Sequence, residues 1–333
     1  MKAYVFEKRL ALDELKPVER PIPTPKSHEI LVAMRAVSLN FRDLAIARGD
    51  YGNFPCPLVP LSDGAGEVVA CGASVTRFSK GDLVCAAYVP DWIDGPVSER
   101  VARRRLGGPS DGVLAEYICV DESAAVRAPA HFDAREAATL PVAAVTAYEA
   151  LFRGARLAPG DVVAVQGSGG LSLSVLQLAR AVGARVLALT RDDSRRERLE
   201  RLGAEVFVVS DSRWDVPLRA ATNGEGVDVF VDVVGGPSLQ AAVNSTRFGK
   251  TLLLLGFVAG QQSEVDLVGA IRRAITLRAV SGGSRESFEA LTRGLQNWQL
   301  RPVIDRVFAL RDLHAAFEHL ARGRPFGKVV VEF

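Results

Sequence analysis

The stretch that most constrains this chain is Val162-Val163-Ala164-Val165-Gln166-Gly167-Ser168-Gly169-Gly170-Leu171-Ser172. A β-branched run stops at a cluster of glycines. An apolar pattern with helical spacing follows at once: Leu171, Leu173, Val175, Leu176, Leu178, Ala179, Val182. Strand, glycine turn and helix, in that order, are what a dinucleotide phosphate site requires. Backbone N–H groups at a helix start carry partial positive charge, and glycine admits a pyrophosphate to them without a Cβ in the way. The spacing is Gly167-x-Gly169-x-x-Ser172, so serine stands where a third glycine would allow close packing of helix on strand. Serine is small enough to make the exchange tolerable. The plainer alternative is a buried strand ending in a tight turn.

A length of 333 residues suggests two domains. With 48% hydrophobic and 24% charged residues the chain has ample material for a core. Net charge is +2, from 41 basic and 39 acidic side chains, which gives no reason to expect a nucleic acid or an anionic membrane as partner. The one basic cluster, Arg100, Arg103, Arg104 and Arg105, is short and reads as a solvated loop or helix face. No apolar run approaches the roughly 20 residues that span a bilayer. Lys8, Arg9, Asp13 and Glu14 interrupt any signal-peptide core, so a cytoplasmic location is expected. Cys56, Cys71, Cys85 and Cys119 form no C-x-x-C pair and are expected as buried free thiols. No histidine neighbours a cysteine, which argues against a structural zinc cluster.

From Met1 to about Val126 the pattern is β with many glycine-punctuated turns, which suggests a partly open barrel. Phe41–Arg48 is expected as a short helix stopped by Gly49, and Pro17–Pro25 cannot form a central strand. Asp133 to Phe152 reads as a long helical region broken near Pro141, with Asp133 and Glu136 spaced as a capping box. Six strands then alternate with helices: Val162–Val165, Arg185–Leu189, Val206–Val209, Val227–Val233, Thr251–Leu255 and Leu277–Val280. Such alternation makes a doubly wound parallel sheet. After Gly282-Gly283 it ends. Two amphipathic helices, Glu286–Trp298 and Asp312–Arg322, and two strands, Val303–Phe308 and Lys328–Phe333, are left with no place in that sheet. They are expected to return to the first domain.

At this point the order of parts resembles the medium-chain dehydrogenase/reductase superfamily over nearly the whole chain, and most of all its zinc-free quinone oxidoreductase and enoyl reductase members. The matching stretches are Leu39-Asn40-Phe41-Arg42-Asp43, Gly49-Asp50-Tyr51, Asp63-Gly64-Ala65-Gly66-Glu67-Val68, Gly81-Asp82-Leu83-Val84, Ala137-Ala138-Thr139-Leu140-Pro141, Leu202-Gly203-Ala204 and Gly327-Lys328-Val329-Val330. The resemblance implies an α/β chain: a partly open, GroES-like β-barrel catalytic domain, residues 1–125 and 286–333, plus a doubly wound Rossmann domain, residues 126–285.

Zinc-dependent relatives place a cysteine in the segment held here by Leu39–Asp43 and a Gly-His-Glu near Asp63-Gly64. Those positions are Asn40 and Ser62-Asp63 here, and the cysteine-rich lobe that holds a second zinc is missing between Cys85 and Leu114. Neutral Asn and Ser beside one carboxylate are poor zinc ligands, so no metal is expected. Without a Lewis acid, hydrogen-bond donors must stabilise the developing charge, and they suffice better for a conjugated acceptor whose charge spreads onto an enolate or quinol oxygen.

The resemblance places Asn40 and Tyr51 in the active site, as an amide N–H and a phenol O–H able to donate to an oxyanion. For Asn40 the competing role is capping the helix that follows; for Tyr51, covering the core. Asp43 matches the family pattern as a proton relay, and alternatively only pairs with Arg42 or Arg48. Trp92, in the insertion Pro90–Pro109, either walls a pocket or anchors that loop.

On the cofactor side the pyrophosphate is expected on Gly167, Ser168, Gly169, Gly170 and Leu171, with Thr146 near the nicotinamide. An NAD enzyme carries an acid at the end of the second Rossmann strand to hold the ribose diol. Counting back from Leu202-Gly203-Ala204, that position is Thr190, and Arg191, Arg195 and Arg196 follow it. Guanidinium groups suit a 2′-phosphate, so the expected cofactor is NADPH, with Arg191 and Arg195 on that phosphate. Asp192 and Asp193 lie close and dilute the argument. Gly256, Phe257 and Val258 follow the fifth strand, where relatives bond the nicotinamide amide through backbone. Ser281, Gly282 and Arg285 follow the sixth, Arg285 within reach of the pyrophosphate or, alternatively, as a surface charge. Relatives pair the sixth strand across a two-fold axis, so a homodimer is expected.

These readings make the chain an NADPH-dependent, zinc-independent oxidoreductase passing a hydride to a quinone or an α,β-unsaturated carbonyl. The alternatives are a metal-free NADP-dependent alcohol or ketone oxidoreductase, and a non-catalytic NADPH-binding protein.

Overall fold

The computed structural model describes residues 1–210, 213–322 and 325–333. The chain divides into two units. The first is Met1–Val145 with Gly282–Phe333, and the second is Thr146–Ser281. The first unit reaches twenty residues further along the chain than the expected end at 125. The reason is long-range contact: β7 (Ala125–Arg127) pairs with β5 (Leu83–Ala86), and Val142 donates its N–H to Asp63.

In the first unit β1 (Lys2–Phe6) and β2 (Leu15–Glu19) form a two-stranded antiparallel sheet, with Pro17 on this short ribbon rather than in a central strand. The main sheet runs β14 (Ile304–Ala309), β15 (Lys328–Glu332), β3 (Glu29–Leu39), β4 (Asp63–Cys71), β5, β7, and β6 (Tyr117–Asp121) also pairs with β3. β3 is long enough to take three neighbours because its first half pairs with β6 and its second half with β15. The terminal strands therefore do rejoin the first unit. Their inward residues, Phe308, Val329 and Val331, bury with Phe6, Ile30, Val37 and Phe317 in one core.

In the second unit β8 (Val162–Gln166), β9 (Arg185–Thr190), β10 (Glu205–Val208), β11 (Val227–Asp232), β12 (Thr246–Leu254) and β13 (Thr276–Ala279) are all parallel, in the order β10-β9-β8-β11-β12-β13. The order reverses between β8 and β11, the place where doubly wound sheets bind ligands. β8, β9 and β11 are almost wholly buried, as continuous apolar runs covered on both faces must be.

The helices that matter below are α1 (Phe41–Ala47), α2 (Gly170–Ala181), α3 (Arg196–Arg201), α4 (Leu267–Arg273) and α5 (Arg285–Trp298). The segment after Asp133 starts with the expected reciprocal cap: Glu136 N–H donates to Asp133 Oδ1 at 2.9 Å, and Asp133 N–H to Glu136 Oε2 at 3.0 Å. At Pro141 the helix widens into a π-turn, Leu140–Ala144, because proline has no N–H to continue the regular ladder. The four cysteines are free thiols, but only Cys85 is buried; Cys71, expected inside, is exposed because it is the last residue of β4.

Candidate active site

In the first unit the site grows from the end of β3. That strand lies between β15 and β4, and the register sets Val329 opposite Leu39 and Asp63 opposite Ser38. Lys328 from one neighbour and Asp63 from the other thereby arrive beside Asn40, the residue on which the chain turns into α1. Lys328 Nζ donates to Leu39 O at 2.9 Å and to Asn40 Oδ1 at 2.5 Å, and lies 3.4 Å from Asp63 Oδ2. Asp63 is fully buried and also accepts from Ser62 Oγ at 2.8 Å and from Val142 N–H at 3.3 Å. Burial pulls the Lys328 ammonium below the ordinary lysine range, while Asp63 and Asp43 act the other way.

Asn40 has extended backbone (φ −120°, ψ 159°) and occupies the N-cap position of α1. The reciprocal bond at that position comes from Asp43, whose Oδ2 accepts the Asn40 N–H at 2.8 Å. The Asn40 side chain is turned to Lys328, and its Nδ2 is buried with no hydrogen-bond partner among the described residues. A buried unsatisfied donor costs about 1–3 kcal/mol, so it calls for a physical reason.

Asp43 is buried, and burial pushes its carboxyl up to about 6 although Arg42 acts against the shift. Arg42 Nη1 lies 3.4 Å from Asp43 Oδ1 and donates to Leu106 O at 3.2 Å, while Nη2 donates to Gly108 O at 3.1 Å. Its guanidinium carbon stands 5.0 Å from the Tyr88 ring and 5.6 Å from the Tyr51 ring. Burial pushes the Tyr88 phenol up to about 12. Arg42 thus ties the end of the insertion 90–109 to α1. At the other end of that insertion Trp92 is buried with Tyr88 and Val89, donates Nε1 to Gly95 O at 2.8 Å, and accepts Arg285 N–H on its carbonyl at 2.8 Å. Of its two possible roles, Trp92 takes the anchoring one.

The residues expected to cradle the phosphates lie in the second unit. Gly167 turns at φ +77°, a conformation that favours glycine, and its N–H bonds Leu189 O at 2.7 Å. Gly169 caps the twelve-residue α2, and a Cβ built on it meets no atom within 4 Å, so that side of the helix start is open. Ser172 does more than tolerate the place of a glycine: its buried hydroxyl donates to Gln166 O at 2.7 Å, closing helix onto strand. At the end of β9, Thr190 is buried and bonds its own turn, accepting Asp192 N–H at 3.1 Å. Arg191 is exposed. Arg195 donates to Ser168 Oγ and, at 3.1 Å, to Asp192 Oδ2, which sets its guanidinium beside the glycine turn. Asp192 is otherwise held by Ser194 N–H at 3.1 Å and Ser194 Oγ at 2.6 Å, and those bonds hold its carboxyl below the usual range.

Thr146, Gly170 and Leu171 also belong to this unit, Thr146 buried in a single α-turn. Gly256 follows β12 where a Cβ would stand 2.2 Å from Val233 O, so only glycine fits there. Phe257 beside it is half-buried, and Val258 and Ser281 are exposed. Gly282 and Arg285 fall in the first unit instead. Arg285 Nη1 donates to Ser123 O at 3.1 Å, and its Nε lies 3.5 Å from Glu289 Oε1. Lys328 and Tyr88 carry no expected role from the sequence, and Asp63 and Arg42 only minor ones. The available signal for Lys328 was a cation opening a strand whose next three residues are valines.

Among the described residues no group of three or more His, Cys, Asp or Glu is gathered so as to hold a metal ion, and no helix is long and apolar enough to cross a membrane.

Comparison with known proteins agrees with this architecture. Residues 26–130 match the model of the alcohol dehydrogenase GroES-like domain, and residues 170–297 that of the zinc-binding dehydrogenase. A zinc-type alcohol dehydrogenase-like protein of Schizosaccharomyces pombe is 32% identical over 100% of this chain and 99% of its own. Acryloyl-coenzyme A reductase of Metallosphaera sedula is 28% identical over 99% of each. A crystal structure from Sinorhizobium meliloti 1021, put forward as an alcohol dehydrogenase, superposes with a TM-score of 0.93 at 36% identity, covering 100% of this chain and 98% of that one. The chain belongs to the medium-chain dehydrogenase/reductase superfamily, as a GroES-like domain joined to a Rossmann-type parallel sheet, and is an oxidoreductase of that type.

Proposed function

We propose that this chain is an NADPH-dependent, zinc-independent oxidoreductase that reduces an α,β-unsaturated carbonyl compound or a quinone. The observation that carries the reading is the Asn40 amide: a buried donor without an acceptor among the described residues, at a strand end where its oxygen is held by Lys328. A fixed donor of this kind suits an oxygen that gains negative charge as a conjugated system accepts a hydride. Tyr51 is the second donor proposed for that oxygen. Asp43, with its carboxyl at about 6, is suited to exchange a proton near neutrality.

The residues that would surround a catalytic zinc do not fit one. Asn40, Ser62 and Asp63 offer one carboxylate among neutral oxygens, and both Asn40 Oδ1 and Asp63 Oδ2 already face the Lys328 ammonium. A fixed ammonium at that spot repels a dication.

The second unit fits a dinucleotide. The backbone N–H groups from Gly167 through Ser168, Gly169, Gly170 and Leu171 would hold the pyrophosphate at the open start of α2. Arg191 and Arg195 would take the 2′-phosphate. Thr190 supplies no carboxylate for a ribose diol, and Asp192 is engaged by Ser194 and Arg195. Thr146, Gly256, Phe257, Val258 and Ser281 remain the proposed nicotinamide side. Gly282 and Arg285, which fall in the first unit, stay proposed on the cofactor side, Arg285 toward the pyrophosphate. When bound, the reduced nicotinamide supplies the hydride.

The Metallosphaera relative acts, by its name, on acryloyl-coenzyme A, a double bond conjugated with a thioester carbonyl, which supports this substrate class. The names of the Schizosaccharomyces and Sinorhizobium relatives, the first of them zinc-type, favour a second reading in which this chain oxidises alcohols or reduces ketones. Initial rates separate the two. NADPH oxidation with cyclohexenone, crotonyl-coenzyme A and benzoquinone is compared with NADP+ reduction by primary and secondary alcohols, all with chelator present. The proposal expects the acceptors to be turned over and the alcohols not.

A further inference from the structure

We propose that Lys328 is a positioning residue for this reduction: its ammonium fixes the Asn40 carboxamide so that the amide nitrogen, not the amide oxygen, is presented to the substrate oxygen. The inference rests on the reading of Asn40 given above and adds a residue to it. An ammonium has three hydrogens and no lone pair, so any atom facing it must be an acceptor. Three acceptors surround Lys328 Nζ: Leu39 O, Asn40 Oδ1 and Asp63 Oδ2. The carboxamide therefore has one permitted orientation, and Nδ2 is left as the buried donor with no partner among the described residues.

The device is stiff. Lys328 opens β15, whose pairing with β3 begins at the very next residue, Val329 opposite Leu39. Asp63 balances the ammonium and is itself held by Ser62 and the Val142 N–H. Without the ammonium the amide is free to turn over. Its oxygen would then meet the substrate oxygen, acceptor against acceptor, at the moment negative charge develops there.

The test is a double-mutant cycle on the full chain, with cyclohexenone or crotonyl-coenzyme A and saturating NADPH. Wild type, Asn40→Ala, Lys328→Met and the double variant are compared in kcat, and NADPH affinity is followed separately by its fluorescence. Because Lys328→Met leaves Asp63 buried without its partner, Lys328→Met with Asp63→Asn is measured beside it, with thermal melting as the check on folding. The proposal expects kcat to fall at least tenfold on loss of Lys328 with the NADPH Kd unchanged. It also expects no further fall when Lys328 is removed from Asn40→Ala. Multiplying losses, or a wild-type kcat in both Lys328 variants, would overturn it, as would a loss confined to NADPH affinity. If Asn40→Ala itself retains full kcat, the reading of Asn40 fails. If Asn40→Ala is impaired while the Lys328 variants are not, only the positioning role fails.

Discussion

Two basic and two acidic side chains, Arg42, Lys328, Asp43 and Asp63, are buried near one strand end, and the chemistry open to each follows from what it touches. Asp43 is raised to about 6 chiefly by burial, so the folded chain holds that proton more tightly than the unfolded chain does. The stability contributed by this group is therefore fully present below the ordinary carboxylate range and is lost as pH rises through about 6. Relative to Asp43→Asn, wild-type stability should decline across that window, by roughly 2–3 kcal/mol in all, and run level above it. Urea melts at a series of pH values check this, and parallel curves throughout would refute it. In the second unit Arg195 lies beside the glycine turn through Ser168. Loss of a charge-assisted bond to a phosphate costs about 1.5–3 kcal/mol. Arg195→Ala should therefore raise the KM for NADPH by about ten- to hundredfold and leave that for NADH within about twofold. Equal changes for both cofactors would contradict the assignment of the 2′-phosphate.

The elements of the second unit were legible in the sequence because most of its strands are short apolar runs ended by a turn signal and followed by a helix. The Asp133–Glu136 cap was legible for the same reason: its partners are three residues apart. Lys328 was not, because it meets Asn40 and Asp63 only through strand pairing, and no local pattern reports which strands lie side by side. The Arg42 cage was hidden likewise, since its carbonyl partners come from the far end of the insertion. The unit boundary moved from 125 to Val145 because the pairing of β7 with β5 is non-local. One element carries a prediction of its own. β13 is the last strand of its sheet and is exposed along its length, with Leu277 47% exposed, and α4 exposes Leu267, Val268 and Ile271. An open edge beside apolar side chains invites pairing with another strand, and a second copy of the chain is the proposed partner. Light scattering should report a dimer for the wild type and a monomer for Leu277→Lys with Ile271→Asp. A monomeric wild type would contradict it.

The whole molecule divides into a unit with the glycine turn proposed to cradle a dinucleotide and a unit that carries a buried amide donor backed by an internal cation. The second depends on chain termini closing the first unit: β14 and β15 complete the sheet, and β15 brings Lys328 to residues more than 260 positions earlier in the chain. A cationic side chain set among the acceptors, in a fold whose relatives include proteins named for zinc, is why this account assigns conjugate reduction rather than metal-assisted alcohol oxidation. The most direct measurement follows the hydride itself. NADPH deuterated at the transferred position is reacted with cyclohexenone in the presence of chelator, and the product is read by NMR. The expected product is saturated ketone with deuterium on the β-carbon. Deuterium on the carbonyl carbon of an allylic alcohol, or turnover that appears only when zinc is restored, would contradict it.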